Sequence, residues 1–191
     1  MNIRHIRLPK QRCAAAALAL AAAATVPLPA AAADPVAGPY VYAMGGRVEY
    51  DHDCWFVVAC ENARANTVKV GAGYRWGVFG LEASFTDFGR AKLERPGDTL
   101  RLRAAGVSAV WHLAFGSTVE GMLRAGAADV RQTRTGDTNQ GRFSATFGLG
   151  LAIAVTPALA VQLGWDITGG EGRNSGSTVA SAFTAGLRAR F

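Results

Sequence analysis

The sequence predicts an all-β protein: an eight-stranded antiparallel transmembrane β-barrel, preceded by a cleaved signal peptide. Three observations lead to this fold class. The N-terminus has the pattern of a secretory signal, apolar residues then alternate with small or polar ones, and the connections alternate between short and long. Alternation over segments of about ten residues is the sequence signature of a transmembrane β-strand.

The first 33 residues have the three parts of a signal peptide. Positions 1–12 carry four basic residues and no acid, positions 13–26 are rich in Ala and Leu, and small residues precede Asp34. Such a segment directs export and is then removed. The apolar run of 14 residues is too short to span a bilayer, which disfavours a retained anchor. Cys13 stands at the start of that run and not at its end, which disfavours a lipoprotein. We predict a signal peptide over 1–33 and a barrel domain over 34–191.

The charge of the predicted mature chain is nearly balanced. The whole chain has a formal net charge of +6, but residues 34–191 contain 16 Lys and Arg against 14 Asp and Glu. No basic tract remains after the signal, and no aromatic residues alternate with basic ones. The sequence therefore does not predict a nucleic-acid partner.

Two cysteines of the mature chain, Cys54 and Cys60, lie in the first long loop. Export brings them into an oxidising compartment, where such a pair is expected to form a disulfide. The bridge would stabilise the fold by about 2–3 kcal/mol, because it restrains the unfolded loop. A metal site is the alternative, but two thiols without clustered histidines do not predict one. We expect neither a metal nor another cofactor.

Eight segments of the mature chain alternate with a period of two. In the second segment Val70, Tyr74 and Trp76 share one face, whereas Lys69 and Arg75 share the other. A closed antiparallel outer-membrane barrel requires an even number of strands. The segments are Tyr40–Tyr50, Thr67–Trp76, Phe79–Phe88, Arg103–Leu113, Thr118–Val130, Arg142–Val155, Leu159–Ile167 and Thr178–Phe191.

The connections between these segments alternate in length. Short turns cover positions 77–78, 115–117 and 156–158, and longer polar stretches cover 51–66, 89–99, 132–141 and 168–176. Outer-membrane barrels have short periplasmic turns and longer extracellular loops. The four longer connections are therefore predicted to face the cell exterior.

Alternation alone does not tell which face lies inside the barrel. A soluble barrel such as a lipocalin, with bulky residues in its core, is the alternative. An eight-stranded barrel has an interior just wide enough for side chains. A soluble barrel would also need a charged exterior, whereas the second face here is mostly Gly, Ala, Ser and Thr. We therefore expect the bulky face to contact lipid, with aromatic residues near strand ends at the membrane interface. These residues are Tyr40, Tyr42, Tyr50, Trp76, Trp111 and Trp165.

Two consecutive segments also resemble a known family. Gly73-Tyr74 precedes a short turn, and the next segment contains Glu82, Phe85 and Asp87-Phe88-Gly89-Arg90. This pattern resembles the second and third strands of the OmpA-like small outer-membrane β-barrel superfamily. The resemblance implies a barrel in the cell outer membrane.

The C-terminus resembles this family as well. Phe191, with Leu187 and Ala189 on its face, is similar to the signal that the barrel-assembly machinery reads. That machinery is therefore an expected partner. The sequence stops at Phe191, so the resemblance covers the transmembrane barrel only, and we do not expect the peptidoglycan-binding domain of full-length OmpA.

Charged residues on the face predicted to be inside would share a narrow lumen. A lone buried charge is costly, so we expect them to pair and to plug the barrel. A narrow ion-conducting pore, which members of the family suggest, is the alternative. The lumen candidates are Arg47, Glu49, Lys69, Arg75, Glu82, Glu120, Arg124, Arg142, Asp166, Arg188 and Arg190.

Enzymatic activity is the second class of function to weigh. Some eight-stranded outer-membrane barrels modify lipid A, and one such family uses a His-x-Ser pair near the outer rim. His112 is followed by Leu113-Ala114, and His52 by Asp53-Cys54, so neither makes that pair. We expect no enzymatic activity.

Surface contact is the third class. Trp55–Val58, between the two cysteines, would expose an apolar cluster that marks a contact site, unless the loop packs on the barrel mouth. Basic residues near the second long loop suit lipopolysaccharide phosphates, with a solvated rim as the alternative. We predict an integral outer-membrane protein that supports envelope structure and contacts lipid, lipopolysaccharide or a surface ligand. The lipopolysaccharide candidates are Arg90, Lys92, Arg95, Arg101 and Arg103.

Overall fold

The structure is a computed structural model that describes residues 37–52, 63–92, 99–134, 140–172 and 176–191. They form one closed antiparallel barrel in which the strands follow chain order and β8 pairs with β1. The predicted fold class is confirmed. The strands are β1 Gly38–His52, β2 Ala63–Trp76, β3 Phe79–Lys92, β4 Thr99–Phe115, β5 Val119–Arg134, β6 Gln140–Ala154, β7 Leu159–Gly172 and β8 Gly176–Arg190.

The predicted signal peptide lies outside the described residues, as do Cys54, Cys60 and the apolar cluster between them. Among the residues that the structure does describe, no helix is long and apolar enough to cross a membrane.

The two ends of the barrel differ. We call the end with the β2–β3, β4–β5 and β6–β7 turns the turn end, and the end with the other four connections the loop end. At the loop end the strands run further than the alternation predicted: β1 continues to His52, and β4 begins at Thr99. Each added residue pair satisfies further backbone groups, so pairing continues beyond the apolar part of the strands.

In β2 to β8 the faces are those that the sequence predicts. Val70, Leu81 and Trp111 are exposed on the outside of the barrel, whereas Lys69 and Glu82 are buried inside it. The outward positions of β4 are apolar from Ala105 to Phe115. A tilted strand of that length spans about 25 Å, the height of the apolar band of an outer-membrane barrel.

Strand β1 is turned the other way. Tyr40 and Tyr42 are 3% and 4% exposed and point into the barrel, as does Tyr50 near the loop end. Arg47 and Glu49 lie on the outer surface. The predictions that these two charges line the lumen, and that the three tyrosines face lipid, are therefore wrong.

Glycines of β2 explain this orientation of β1. Tyr42 pairs with Gly71, and Tyr40 pairs with Gly73. A Cβ atom placed on Gly71 would lie 2.3 Å from the Tyr42 hydroxyl, and one on Gly73 would lie 2.4 Å from the Tyr40 ring. The rings thus fill interior space that the glycines leave open. Because side chains alternate along a strand, Arg47 must then face outward.

A β-bulge in β3 reverses its alternation near the loop end. The register with β4 shifts between Asp87 and Arg90, and Gly89 within the bulge has a φ of 75°. Glycine adopts this left-handed conformation without a steric penalty. Phe88 before the bulge is buried in the barrel, whereas Arg90 after it is exposed. The extra residue therefore turns Arg90 outward.

Two adjacent glycines of β1 provide a test of the packing between strands. A Cβ atom on Gly46 would lie 1.8 Å from the Phe183 carbonyl oxygen of β8, whereas the nearest atom to a Cβ on Gly45 is 3.9 Å away. We expect Gly46→Ala to lower the free energy of unfolding by about 1–3 kcal/mol, because β1 and β8 must separate. The measurement is urea unfolding in lipid vesicles, followed by the gel shift between the compact and the boiled protein.

Gly45→Ala is the matched control for this measurement and should change the free energy of unfolding by less than about 0.5 kcal/mol. Equal effects of the two substitutions would contradict the close approach of β1 and β8 at Gly46.

Candidate functional sites in the lumen and at the outer rim

One carboxylate holds the lumen together near the turn end. Glu120 of β5 accepts hydrogen bonds from Arg188 Nη2 at 2.7 Å and from Arg190 Nη2 at 3.2 Å. It also pairs with Arg75 of β2. Nδ1 of His112, on β4, lies 3.1 Å from Glu120 Oε1. A single side chain therefore connects β5 with three other strands.

A second carboxylate lies further toward the loop end. Glu82 of β3 is 2% exposed. It accepts hydrogen bonds from the Tyr42 hydroxyl at 2.7 Å, the Tyr40 hydroxyl at 3.2 Å and Arg124 Nε at 3.1 Å. These contacts stabilise the inward orientation of β1, because both tyrosine hydroxyls donate to the same buried carboxylate.

A third pair follows toward the loop end, where Lys69 Nζ donates to Asp166 Oδ1 at 2.8 Å. In the described strands these lumen contacts join five cations and three carboxylates, and each of these cations contacts one of the carboxylates. Buried charges in a narrow space are stable only when they are paired in this way.

An apolar layer fills the lumen at the loop end. Tyr50, Phe88, Leu100 and Leu102 are at most 1% exposed, and Val130 is 3% exposed. The Tyr50 hydroxyl donates to the Phe88 carbonyl oxygen at 2.8 Å. An ion that passed along the lumen would have to cross this layer as well as the paired charges.

Most of the predicted lumen residues come together inside the barrel. Arg142 has the inward register of β6 but is exposed near the loop end, and Glu49 forms an ion pair on the outside, where its Oε1 lies 2.9 Å from Arg64 Nε. Sequence reasoning missed Tyr40, Tyr42 and His112 as partners of the two buried glutamates. The pairing of tyrosines on one segment with glycines on the next is the signal that could have identified the first two. The residues found inside are Lys69, Arg75, Glu82, Glu120, Arg124, Asp166, Arg188 and Arg190.

A charged cluster lies on the outside of β3, β4 and β5 at the loop end; we call it the rim patch. Its residues are Asp87, Arg101, Arg103, Asp129 and Arg131. Asp87 accepts hydrogen bonds from Arg101 and, at 3.3 Å, from Arg103 Nε. Arg131 Nε lies 3.0 Å from Asp129 Oδ2. The patch therefore holds three guanidinium groups and two carboxylates.

The predicted lipopolysaccharide candidates are distributed around this patch. Arg101 and Arg103 belong to it, and Arg90 is exposed beside Arg101 in the register of β3 with β4. Lys92 is the last residue of β3, and Arg95 lies outside the described residues. Sequence reasoning missed Arg131, because the fifth segment was predicted to end at Val130.

Two candidate features remain, the C-terminal assembly signal and a possible metal site. Phe191 follows β8, is 76% exposed and donates its N–H to the Pro39 carbonyl oxygen at 3.1 Å. In the part of the chain that the structure describes, no group of three or more His, Cys, Asp or Glu side chains is placed to hold a metal ion.

Comparison with known proteins assigns the barrel to a family. The sequence matches the family model of the outer membrane protein beta-barrel domain over residues 16–191. The chain belongs to this family. It is a β-barrel protein of the cell outer membrane, which confirms the resemblance to small OmpA-like barrels and the predicted localisation.

Solved structures with the same fold include Neisserial surface protein A. That protein has a TM-score of 0.65 and 22% sequence identity, with 81% of this chain and 97% of that chain covered. The outer membrane protein OprG from Pseudomonas aeruginosa has a TM-score of 0.53 and 10% identity, with 81% and 96% covered. At these sequence identities the similarity shows a shared fold and nothing further. No curated protein matches the sequence.

The contacts of Glu120 predict that removing this buried carboxylate lowers the stability of the barrel more than removing an exposed one. Glu120→Gln would leave three guanidinium groups in the lumen without their anion, so we expect the free energy of unfolding to fall by about 3–5 kcal/mol. Glu49→Gln removes a carboxylate whose side chain is 56% exposed, and such surface pairs contribute about 0–1 kcal/mol. Urea titration of both variants in lipid vesicles compares the two effects. Similar losses would show that the Glu120 contacts do not stabilise the barrel.

Proposed function

We propose that this outer-membrane barrel is a non-enzymatic, non-conducting envelope protein whose outer rim contacts lipopolysaccharide. The observation that carries the proposal is the rim patch, where three arginines share two carboxylates on the outer surface, just beyond the apolar band. Side chains at this height meet the headgroups of the membrane. The long loops of such barrels face the cell exterior, so the headgroups at the loop end are those of the outer leaflet.

The arrangement of the arginines favours a phosphate ligand. Arg103 and Arg131 occupy directly paired positions of β4 and β5. Like charges at such positions repel each other, and an anion between them would remove this repulsion. Their side chains are 49% and 63% exposed, so a lipid phosphate can reach both. The planar guanidinium group also donates two parallel hydrogen bonds to a phosphate.

The contents of the lumen support a structural role over a pore. The apolar layer at the loop end and the two glutamate clusters below it are packed with buried side chains from opposite strands. Moving an ion through apolar side chains carries a large desolvation cost. A closed lumen fits a protein that acts through its outer surface and loops.

The position of His112 supports the absence of enzymatic activity. Its side chain is 0% exposed, and its ring lies against Glu120 near the turn end. An acid–base group that acts on lipopolysaccharide would have to reach the outer leaflet. Side chains of the lumen near the turn end are on the other side of the membrane.

The closed lumen predicts electrical silence. Purified protein in a planar lipid bilayer should give no discrete conductance steps at any applied voltage, because the apolar layer excludes ions. The comparison is a variant with Phe88→Ala, Leu100→Ala and Leu102→Ala, which thins that layer. An unrelated porin verifies that the bilayer reports channels. Steady single-channel currents from the unaltered protein would contradict the proposal and favour the pore.

The rim patch predicts a charge-dependent affinity for lipopolysaccharide. Replacing Arg101, Arg103 and Arg131 by Gln should weaken binding of rough lipopolysaccharide in detergent micelles by about fivefold for each arginine. Isothermal titration calorimetry gives the dissociation constants. We expect weaker binding because the substitutions remove the guanidinium–phosphate contacts. Dephosphorylated lipopolysaccharide should therefore bind the unaltered protein and the variant equally.

The matched control is the double variant Glu49→Gln with Arg64→Gln, which removes an outward ion pair without changing the net charge. Its affinity should equal that of the unaltered protein. An affinity that the triple substitution leaves unchanged would contradict lipopolysaccharide binding at the rim patch.

A further inference from the structure

An apolar groove crosses the outer surface of β6, β7, β8 and β1. Its volume is about 480 Å³. Its centre, on β7 and β8, lies across the barrel from the rim patch, because β8 is four strands away from β4 in the closed sheet. The proposed lipopolysaccharide contact therefore does not use it.

Two rows of paired outward residues form the groove. The row nearer the loop end runs from Leu149 through Trp165 and Phe183 to Arg47, and the next row runs through Leu151, Leu163, Ala185 and Gly45. Large side chains form the first row at Trp165 and Phe183. In the second row, Ala185 and Gly45 are small, so the surface is concave below the two aromatic rings.

The aromatic edge of the groove is held in place. The rings of Trp165 and Phe183 stack with their centroids 6.0 Å apart. Trp165 Nε1 donates to the Ser181 hydroxyl at 2.8 Å. The edge is therefore a fixed part of the surface, and the groove below it exists before any ligand binds.

Arg47 stands at the β1 end of the aromatic edge. It is paired with Phe183 in the register of β1 with β8 and lies two positions beyond Gly45, at the boundary of the apolar band. Within the described strands, no carboxylate forms an ion pair with Arg47. An apolar groove that ends at an exposed cation is complementary to a molecule with an apolar chain and an anionic head.

We propose that this groove holds an acyl chain of a phosphate-bearing lipid of the outer leaflet, with its phosphate at Arg47. Any acyl chain of the bilayer can fill an apolar groove, because the surrounding hydrocarbon is as apolar as the groove itself. Selection among lipids must therefore come from the contact between the phosphate and Arg47. A second copy of the barrel is a poorer occupant, since its convex outer face would touch the edges of the groove and leave the floor uncovered.

The experiment measures which lipid lies next to Trp165. A variant with Trp55→Phe, Trp76→Phe and Trp111→Phe keeps Trp165 as its single tryptophan. It is reconstituted in phosphatidylcholine vesicles that contain increasing fractions of dibrominated phosphatidic acid or dibrominated phosphatidylcholine, whose bromines quench tryptophan fluorescence on contact. We expect phosphatidic acid to associate with the Trp165 site about fivefold more strongly than phosphatidylcholine.

Two pairs of further variants assign the effect. Arg47→Gln should make the two lipids equal, whereas Arg103→Gln, in the rim patch, should leave the selectivity unchanged. Ala185→Leu fills the floor and should reduce quenching by both lipids. Ala109→Leu, an equivalent outward position on β4, should leave quenching as it was. The gel shift between compact and boiled protein verifies that each variant is folded.

Equal quenching by the two lipids in the parent protein would overturn the proposal, and so would selectivity that survives Arg47→Gln. Protection of Trp165 from both lipids, together with a dimer in sedimentation, would assign the groove to a second copy instead. The vesicles contain no lipopolysaccharide, so failure of lipopolysaccharide binding at the rim patch would leave this result unaffected.

Discussion

The structure depends on the filling of a lumen that is only wide enough for side chains. Tyr40 and Tyr42 of β1 fill it beside the glycines of β2, and their hydroxyls end on Glu82 of β3. The inward position of these tyrosines also fixes which residues of β1 face outward, because in a closed sheet every residue of a strand faces either the lumen or the lipid. Arg47 and Glu49 are consequently on the outer surface. The same packing that closes the interior thus places a cation at the membrane boundary.

The buried carboxylates of the lumen connect strands that are not neighbours in the sheet. Glu120 joins β5 to β2 and β8, and Glu82 joins β3 to β1 and β5. The backbone ladder holds each strand only to its two neighbours, so these contacts are what stabilise the cross-section of the barrel. Their geometry favours a rigid, closed cylinder, and such a cylinder leaves the loops and the outer surface to carry out contacts with other molecules.

The outer surface has two distinct features that suit lipid, and they differ in chemistry. The rim patch is polar, with Arg103 and Arg131 paired side by side, and it fits a headgroup with several phosphates. The groove on the other side is apolar and ends at one cation, Arg47, so it fits a chain and a single phosphate. The groove lies just inside the loop-end boundary of the apolar band, and the rim patch lies just beyond it. A protein with these two features would order the lipids around it in the outer leaflet.

The sequence by itself determined the number of strands, their order, the faces of β2 to β8 and most of the charged residues of the lumen. Period-two alternation reports these properties because a side chain on a strand has only two directions to point. It could not determine the orientation of β1, because alternation allows either face of this strand to point inward. The pairing of the tyrosines with Gly71 and Gly73 decides between the two. Nor could it reveal that the bulge at Gly89 turns Arg90 outward, or that Arg47 borders a groove that β1 forms together with β6, β7 and β8. Those properties depend on register and closure, which bring together residues that are distant in the chain and are therefore decided by the tertiary structure alone.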